Sequence, residues 1–324
     1  MPKAGFINTK AVSEMTQARH SEHRSIAALC EDWHARNNAA WGIYERASKA
    51  KLITFAGTPS IAVTAIRAGA SHLVLDHPTY SARSFLPPCG DLTPLTQTIQ
   101  AARDTDPTTT LTINCDRMMH GPDFPTLEPL LDLMRANRIS HFRVQDIGLL
   151  YWLKQHCPDM HVNFAPEMGL TNLAALETVT SLANTIQLSN ELSHTHIQSI
   201  TRQFPRYPFL LQVQGKLLIQ YSYRRYLAAI DNRLTDKPIL AQDTEYPGRN
   251  YIFLDNEHGH FMYLYFDRCL LPYAEKLRAL PLSGWVIDAR GESADYLPTA
   301  MSEYHHVLIG QPVNVSPLEA VASR

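Results

Sequence analysis

The run Gln212-Val-Gln-Gly-Lys-Leu-Leu-Ile-Gln-Tyr-Ser-Tyr-Arg-Arg-Tyr-Leu227 sets Lys216, Arg224 and Arg225 beside Tyr221, Tyr223 and Tyr226. Cations among phenols form a surface suited to an anion, because guanidinium groups pair bidentately with carboxylates and phosphates. The same residues also read as a solvated basic edge with tyrosines lying flat against it. Acid–base chemistry asks for carboxylates in unlike surroundings: burial beside a second acid raises one, and a nearby arginine keeps another ionised. Asp146, Glu167, Glu191 and Asp288 are the candidates for that role. Asn114, Arg143, Lys216, Tyr221, Arg224, Arg225 and Arg290 are the candidates for holding a ligand, of which a small anion or a peptide is the expected kind.

These residues are chosen for the elements that carry them. From Lys51 onward a short β-branched run, a polar break and a helical pattern of about ten residues alternate almost to the end of the chain. Eight strands are expected, at 52–56, 72–76, 110–115, 141–146, 161–165, 185–189, 209–214 and 284–288. Helical patterns lie at 59–68, 92–102, 127–136, 173–182 and 196–204, and Thr58-Pro59 has the chemistry of a helix start. Strand alternating with helix through eight units predicts an α/β fold, a closed (β/α)8 TIM-like barrel over 51–215 and 269–310.

In such a barrel the functional face is built at the carboxyl ends of the strands. There lie Asp76, His77, Asn114, Asp116, Arg143, Asp146, Asn163, Glu167, Gln187, Ser189, Glu191, Gln214, Lys216, Asp288 and Arg290, any of which could instead cap the next helix or pair with a neighbour. Between the seventh and eighth strands, residues 216–268 are too long for a simple crossover and read as an insertion over the mouth. Within it 250–255 and 260–266 flank Asn256-Glu-His-Gly259 as a β-hairpin. Residues 1–50 read as a helical extension and 311–324 as a tail.

Composition narrows the function class. A hydrophobic share of 45%, a charged share of 19% and a net charge of −2 describe a globular chain without bulk attraction to nucleic acid, so a nucleic-acid partner is not expected. Cys30, Cys89, Cys115, Cys157 and Cys269 are widely spaced and odd in number, as for buried thiols in a reducing compartment. No apolar run reaches the ~18 residues of a membrane span, and the opening Met-Pro-Lys-Ala-Gly is unlike a signal peptide, so a cytoplasmic location is expected. Glu257-His258-Gly259-His260 lacks the helical spacing of a zinc site and reads as a polar turn. GxSxG, P-loop and GxGxxG motifs do not occur, so serine-hydrolase, nucleotide-hydrolysing and dinucleotide readings have no motif behind them.

Several segments resemble, in order, the peptidase U32 family. Phe55-Ala-Gly-Thr-Pro59 with Ala65-Ile-Arg-Ala-Gly-Ala70 is similar to its opening, and Gln145-Asp146-Ile-Gly148 to its Asp-Xaa-Gly. Ser189-Asn-Glu-Leu-Ser193 resembles its Arg-Glu-Leu-Ser segment, Val286-Ile-Asp-Ala-Arg290 its late strand, and the stretch from Gly215 to Leu227 its Tyr-Ser-Gly-Arg block. The resemblance implies a barrel and a peptidase or hydrolase by family name. Relatives include collagenase-like peptidases and proteins of oxygen-independent hydroxylation in ubiquinone biosynthesis and on RNA, the latter with an iron–sulfur cluster held by cysteines. The positions answering to those cysteines fall on Leu218, Arg225 and near Asn250. Leucine, arginine and asparagine do not replace thiolates, so no cluster and no other metal or cofactor is expected. The resemblance leaves three functions open: an enzyme taking a small anion or peptide, a non-catalytic subunit in a homo- or hetero-oligomer with another U32-type protein, and a hydroxylation factor.

Overall fold

The computed structural model describes residues 50–83, 93–235, 237–245 and 250–313. The expected N-terminal extension lies outside them except for Ala50, and of the expected tail only 311–313 are described, without regular structure.

Eight parallel strands close into a ring. They are β1 (Lys51–Ala56), β2 (His72–Asp76), β3 (Thr110–Cys115), β4 (His141–Val144), β5 (His161–Phe164), β6 (Thr185–Gln187), β7 (Phe209–Ser222) and β11 (Gly284–Asp288). Each pairs with the next, and β11 closes the circle by pairing with both β7 and β1, Gly284 opposite Leu210 and Lys51. The expected (β/α)8 barrel is therefore the observed fold, with helices α1 (Pro59–Arg67), α2 (Thr93–Thr105), α3 (Glu128–Ala136), α4 (Ile147–His156), α5 (Leu173–Thr180), α6 (His194–Gln203) and, last, α9 (Tyr296–Ile309) outside it.

Local chemistry sets the helix starts. Thr58 caps α1, its hydroxyl accepting the Ile61 N–H at 3.3 Å with Pro59 at the first helical position. Asp146, Asn172 and Ser193 cap α4, α5 and α6 in the same way. A cap of this kind is worth about 1 kcal/mol.

The inside of the ring is divided. Ile53, Phe55, Val74, Leu210 and Val286 form an apolar cluster on the β1, β2, β7 and β11 side. Across from them, β3 to β6 turn Thr112, Asn114, His141, Arg143, His161, Asn163 and Gln187 inward, while Leu111, Ile113, Phe142, Val162 and Ile186 are buried on the other face. This alternation in a fully buried sheet puts hydrogen-bonding groups in the core and so dictates a polar interior.

Strand β7 does not stop at Gln214, as its polar break suggested, but runs on to Ser222. Gly215 makes the continuation possible: its φ is +110°, and a Cβ there would stand 2.0 Å from the Asp288 carbonyl oxygen. The emerging half pairs antiparallel with β10 (Gly259–Cys269), which pairs with β9 (Asn250–Asn256), which pairs with β8 (Ile239–Gln242). The expected hairpin is β9–β10, turning through Glu257-His258. This sheet covers the mouth. Leu218, Leu254, Phe261 and Tyr263 pack on Ala82, which follows β2, with Met168, which follows β5, against the same cluster. Asn256 Nδ2 also donates to the Ala82 carbonyl at 2.8 Å.

Two short helices, α7 (Tyr226–Ile230) and α8 (Ala274–Arg278), complete the connection. Helix α9 ties the outer wall to β7, where the Tyr304 hydroxyl donates to Val213 O at 2.6 Å.

Candidate active site

Beneath the lid sheet the strand ends bring three arginines and four carboxylates into one buried network. Arg83, in the loop after β2, donates to Glu167 at 2.7 Å and stands 3.4 Å from Asp116. Arg143, on β4, donates to Glu167 at 2.6 Å, to Asp116 at 3.3 Å and to Asn114 Oδ1 at 3.1 Å. Asn114 passes the contact on, its Nδ2 donating to Asp76 at 2.8 Å. Arg290 grips Asp288 through Nε at 2.9 Å and Nη2 at 2.7 Å and reaches Asp76 at 3.4 Å, with its guanidinium 3.7 Å from the centre of the Phe55 ring. Arg143 and Glu167 are each 1% exposed and Asp116 is equally covered, so these pairs operate in a low dielectric.

The environments separate the four carboxyls. Burial raises Asp76, with Asp116 adding to the effect against the pull of Arg290. Burial opposes ionisation of Asp116 as well, but Arg83, Arg290 and Arg143 outweigh it and bring that carboxyl down to about 2. Glu167 is lowered in the same contest, against burial, by Arg83 and Arg143, and Asp288 by Arg290. Burial lowers the Arg143 guanidinium from the usual arginine range, which still leaves it charged at any working pH. The result is three cations facing three firmly ionised carboxylates, with Asp76 the one acid pushed toward its neutral form.

Glu167 sits at φ +64°, a left-handed conformation that non-glycine residues seldom adopt. It is held there from several sides: Asn190 N–H donates to its carbonyl at 2.9 Å, the Ser189 hydroxyl donates to the same carbonyl at 3.2 Å, and both arginines take its carboxylate. Backbone strain that the surroundings enforce in this way gathers at functional sites.

The residues singled out from sequence divide into groups. Glu167, Asp288, Asn114, Arg143 and Arg290 belong to the network. Lys216 lies in an adjoining cluster, 2.9 Å from Asp267 and paired with Glu292, where Tyr296 also donates to Asp267. Asp146 serves as the α4 cap, accepting the Leu149 N–H at 2.6 Å, and makes no ion pair among the described residues. Glu191 is exposed and accepts the Gly169 N–H at 2.6 Å. Tyr221 donates to the His258 carbonyl at 2.8 Å and stacks on Phe261 inside the lid.

Arg224 is exposed and Arg225 half-buried, and neither has an ion-pair partner among the described residues. Asp76, Asp116 and Arg83 complete the network without having been assigned a role. Asp76 and Asp116 were visible as strand-end polar groups, whereas Arg83 lies in a loop with no periodicity to point at it. His260 is not part of a simple polar turn: its Nδ1 meets Asp255 at 2.5 Å, with both residues buried.

The chain is similar to several known proteins. Among curated proteins it matches tRNA hydroxylation protein P of Escherichia coli (strain K12), 20% identical over 232 residues, covering 55% of this chain and 51% of that protein. The chain thus spans about half the length of that relative. Among solved structures, a U32 peptidase matches over 60% of this chain and 79% of its own, at 14% identity and a TM-score of 0.45. Phosphoribosyl anthranilate isomerase from Thermus thermophilus matches over 79% and 99%, at 10% identity and a TM-score of 0.48. The family described as peptidase family U32 matches residues 57–311, from the turn after β1 to the end of α9, and the chain belongs to that family.

Proposed function

We propose that the chain is an acid–base enzyme of the U32 family, acting on a small polar molecule or a peptide end admitted beneath the lid sheet, and that it works without an iron–sulfur cluster. The opposite displacement of Asp76 and Asp288 around one guanidinium carries this reading. Paired carboxyls whose surroundings drive them apart divide the roles of proton donor and fixed charge. Asp288 stays ionised and holds Arg290, and Asp76, raised toward its neutral form beside Asn114, is the group assigned to proton transfer. In a hydrolysis, which the family name suggests, its proton passes to the leaving group. The three network arginines are already matched by carboxylates, so the anionic part of a ligand is left to Arg268, which bonds Asn190 at 3.1 Å, and to Arg224 and Arg225.

The donor set supports the omission of a cluster. Leu218, in place of a cysteine of the cluster-bearing relatives, is buried among Leu254, Phe261 and Tyr263 in the lid. The thiols of Cys115, Cys157 and Cys269 lie on β3, at the end of α4 and at the end of β10, and among the described residues no group of three or more metal-ligating side chains could hold a metal ion. A four-thiolate cluster needs soft ligands at close quarters.

Incubation with a library of dipeptides, N-acetyl amino acids and their amides, followed by mass spectrometry, tests the proposal. Turnover by the native chain, reduced about 100-fold or more in Asp76→Asn, is the expected result. Equal turnover by both proteins would remove Asp76 from the chemistry. The similarity to a tRNA hydroxylation protein favours a second reading, a hydroxylation factor, and stoichiometric iron and sulfide in anaerobically purified protein would establish that reading over the first.

A further inference from the structure

We infer that the barrel interior contains a subsite for a planar group bearing one hydrogen-bond donor and one acceptor side by side, a carboxamide or an imide, and that Gln187 reads it. The inference rests on the reading of the barrel interior as the substrate site.

Gln187 ends β6 and is 1% exposed. It faces into the ring, as does Thr185 two residues before it, whose hydroxyl meets His161 Nε2 at 3.4 Å across β5. Neither its amide nitrogen nor its amide oxygen has a hydrogen-bond partner among the described residues. Its neighbours share the deficit. Asn163 Oδ1 on β5 and Arg143 Nε on β4 are also buried and unpartnered, and Arg143 and Asn163 stand opposite one another in the parallel register.

The same inward row is satisfied on either side of this gap. Asn114 on β3 bonds Asp76 and Arg143, while Gln212 on β7 donates to Lys216 O at 2.9 Å and accepts from Asn190 at 3.3 Å. Within this inward row the unpaired atoms fall on three consecutive strands, β4, β5 and β6, with Arg83 Nε in the loop after β2 unpaired as well. A leucine or methionine would fill the same space without stranding an amide, so a buried glutamine with both ends free has a use that the unliganded chain does not supply.

The pattern of free atoms selects the ligand. Gln187 Nε2 and Arg143 Nε offer N–H groups, while Gln187 Oε1 and Asn163 Oδ1 offer lone pairs. A carboxylate would satisfy only the donors and would bring negative oxygens against two carbonyl oxygens. The charge of Arg143 is moreover already taken by Glu167 and Asp116. An amide or imide gives its carbonyl to the N–H groups and its own N–H to the oxygens, filling both sets at once.

Saturation-transfer NMR with propionamide, succinimide and propionate as probes, on the full chain and on Gln187→Met, tests the assignment together with thermal unfolding. The native chain should prefer the two amide-type probes to propionate by about tenfold or more, and Gln187→Met should lose that preference. Without any ligand, Gln187→Met should unfold some 2–4 °C higher, because an unpaired buried amide has been removed. A lower unfolding temperature would mean that Gln187 is a structural hydrogen-bonding residue and would overturn the inference, as would equal binding of propionate and the amides by both proteins. Asp76→Asn should keep the amide preference. Turnover unchanged in Asp76→Asn alongside lost amide binding in Gln187→Met would sink the acid–base reading and leave the subsite standing.

Discussion

Asp76 and Asp288 share the guanidinium of Arg290, Asp288 taking two of its nitrogens at 2.9 and 2.7 Å and Asp76 a third at 3.4 Å. The unequal grip matters, because the better-held carboxylate is fixed in its charged form while the other, raised by burial, is shifted toward its neutral form. Two acids at the ends of β2 and β11, on either side of β1, are thereby made chemically unlike.

Loss of Arg290 should therefore expose three carboxyls, Asp76, Asp116 and Asp288, to one another without their shared counter-charge. Arg290→Met is expected to cost about 3–5 kcal/mol of unfolding free energy, the usual penalty for breaking a buried pair from one side. Arg290→Lys, which keeps the charge but not the fork, should cost less. Urea denaturation of both variants checks the order, and equal losses would mean that the fork geometry adds nothing.

Gly215 is the point where β7 leaves the barrel beneath the lid. A methyl group there would meet the Asp288 carbonyl and would also have to adopt a φ of +110°. Gly215→Ala should lose several kcal/mol, on the order of 3 or more, and should move the resonances of Asp288 and Arg290. Near-native stability in this variant would show that the β7–β11 seam can open without effect.

A layer of imidazoles governs the response to acid. His72 is lowered to about 3 and His161 to about 4, burial being the main cause in both, with His141 and Lys51 adding repulsion. His141 is also lowered by burial and by Lys51. The unfolded chain takes up these protons near 6.5 and the folded chain at lower pH, far lower at His72 and His161, so the unfolded state binds more protons across that window. Stability is fully present above pH 6.5 and falls as the pH drops from there toward 4. Each of His72 and His161 should remove roughly 1 kcal/mol between pH 7.5 and 5.5. Unfolding temperatures measured across that range should flatten in His72→Gln and His161→Gln, and an unchanged slope in both would assign the acid sensitivity elsewhere. Asp116, Glu167 and Asp288 act in the same direction, but only in the more acid range in which carboxylates titrate.

The ring of strands was legible because β-branched runs alternate with helical patterns on a steady rhythm, and three strands, 72–76, 110–115 and 284–288, match their expected bounds. The extension of β7 was not, because Gly215-Lys216 reads as a break until the positive φ of Gly215 shows how the strand continues. Strand-end position identified Asn114, Arg143, Glu167, Asp288 and Arg290. It could not separate them from Asp146, which occupies an equivalent position yet spends its carboxylate on a helix cap. Arg83 was invisible for the opposite reason: it comes from a loop, and only the closure of the barrel brings it to Glu167. The basic stretch that dominates the sequence, Arg224-Arg225, lies beyond the paired part of β7 and takes no part in the buried network.

Carbon-13 NMR titration of aspartate carboxyls, assigned with Asp76→Asn and Asp288→Asn, probes the proton distribution directly. The account predicts that Asp76 titrates above the ordinary 3.8 and Asp288 below it, and that replacing Arg290 by methionine raises Asp76 further and abolishes the depression of Asp288. Two carboxyls titrating together, or Asp288 titrating above Asp76, would contradict it.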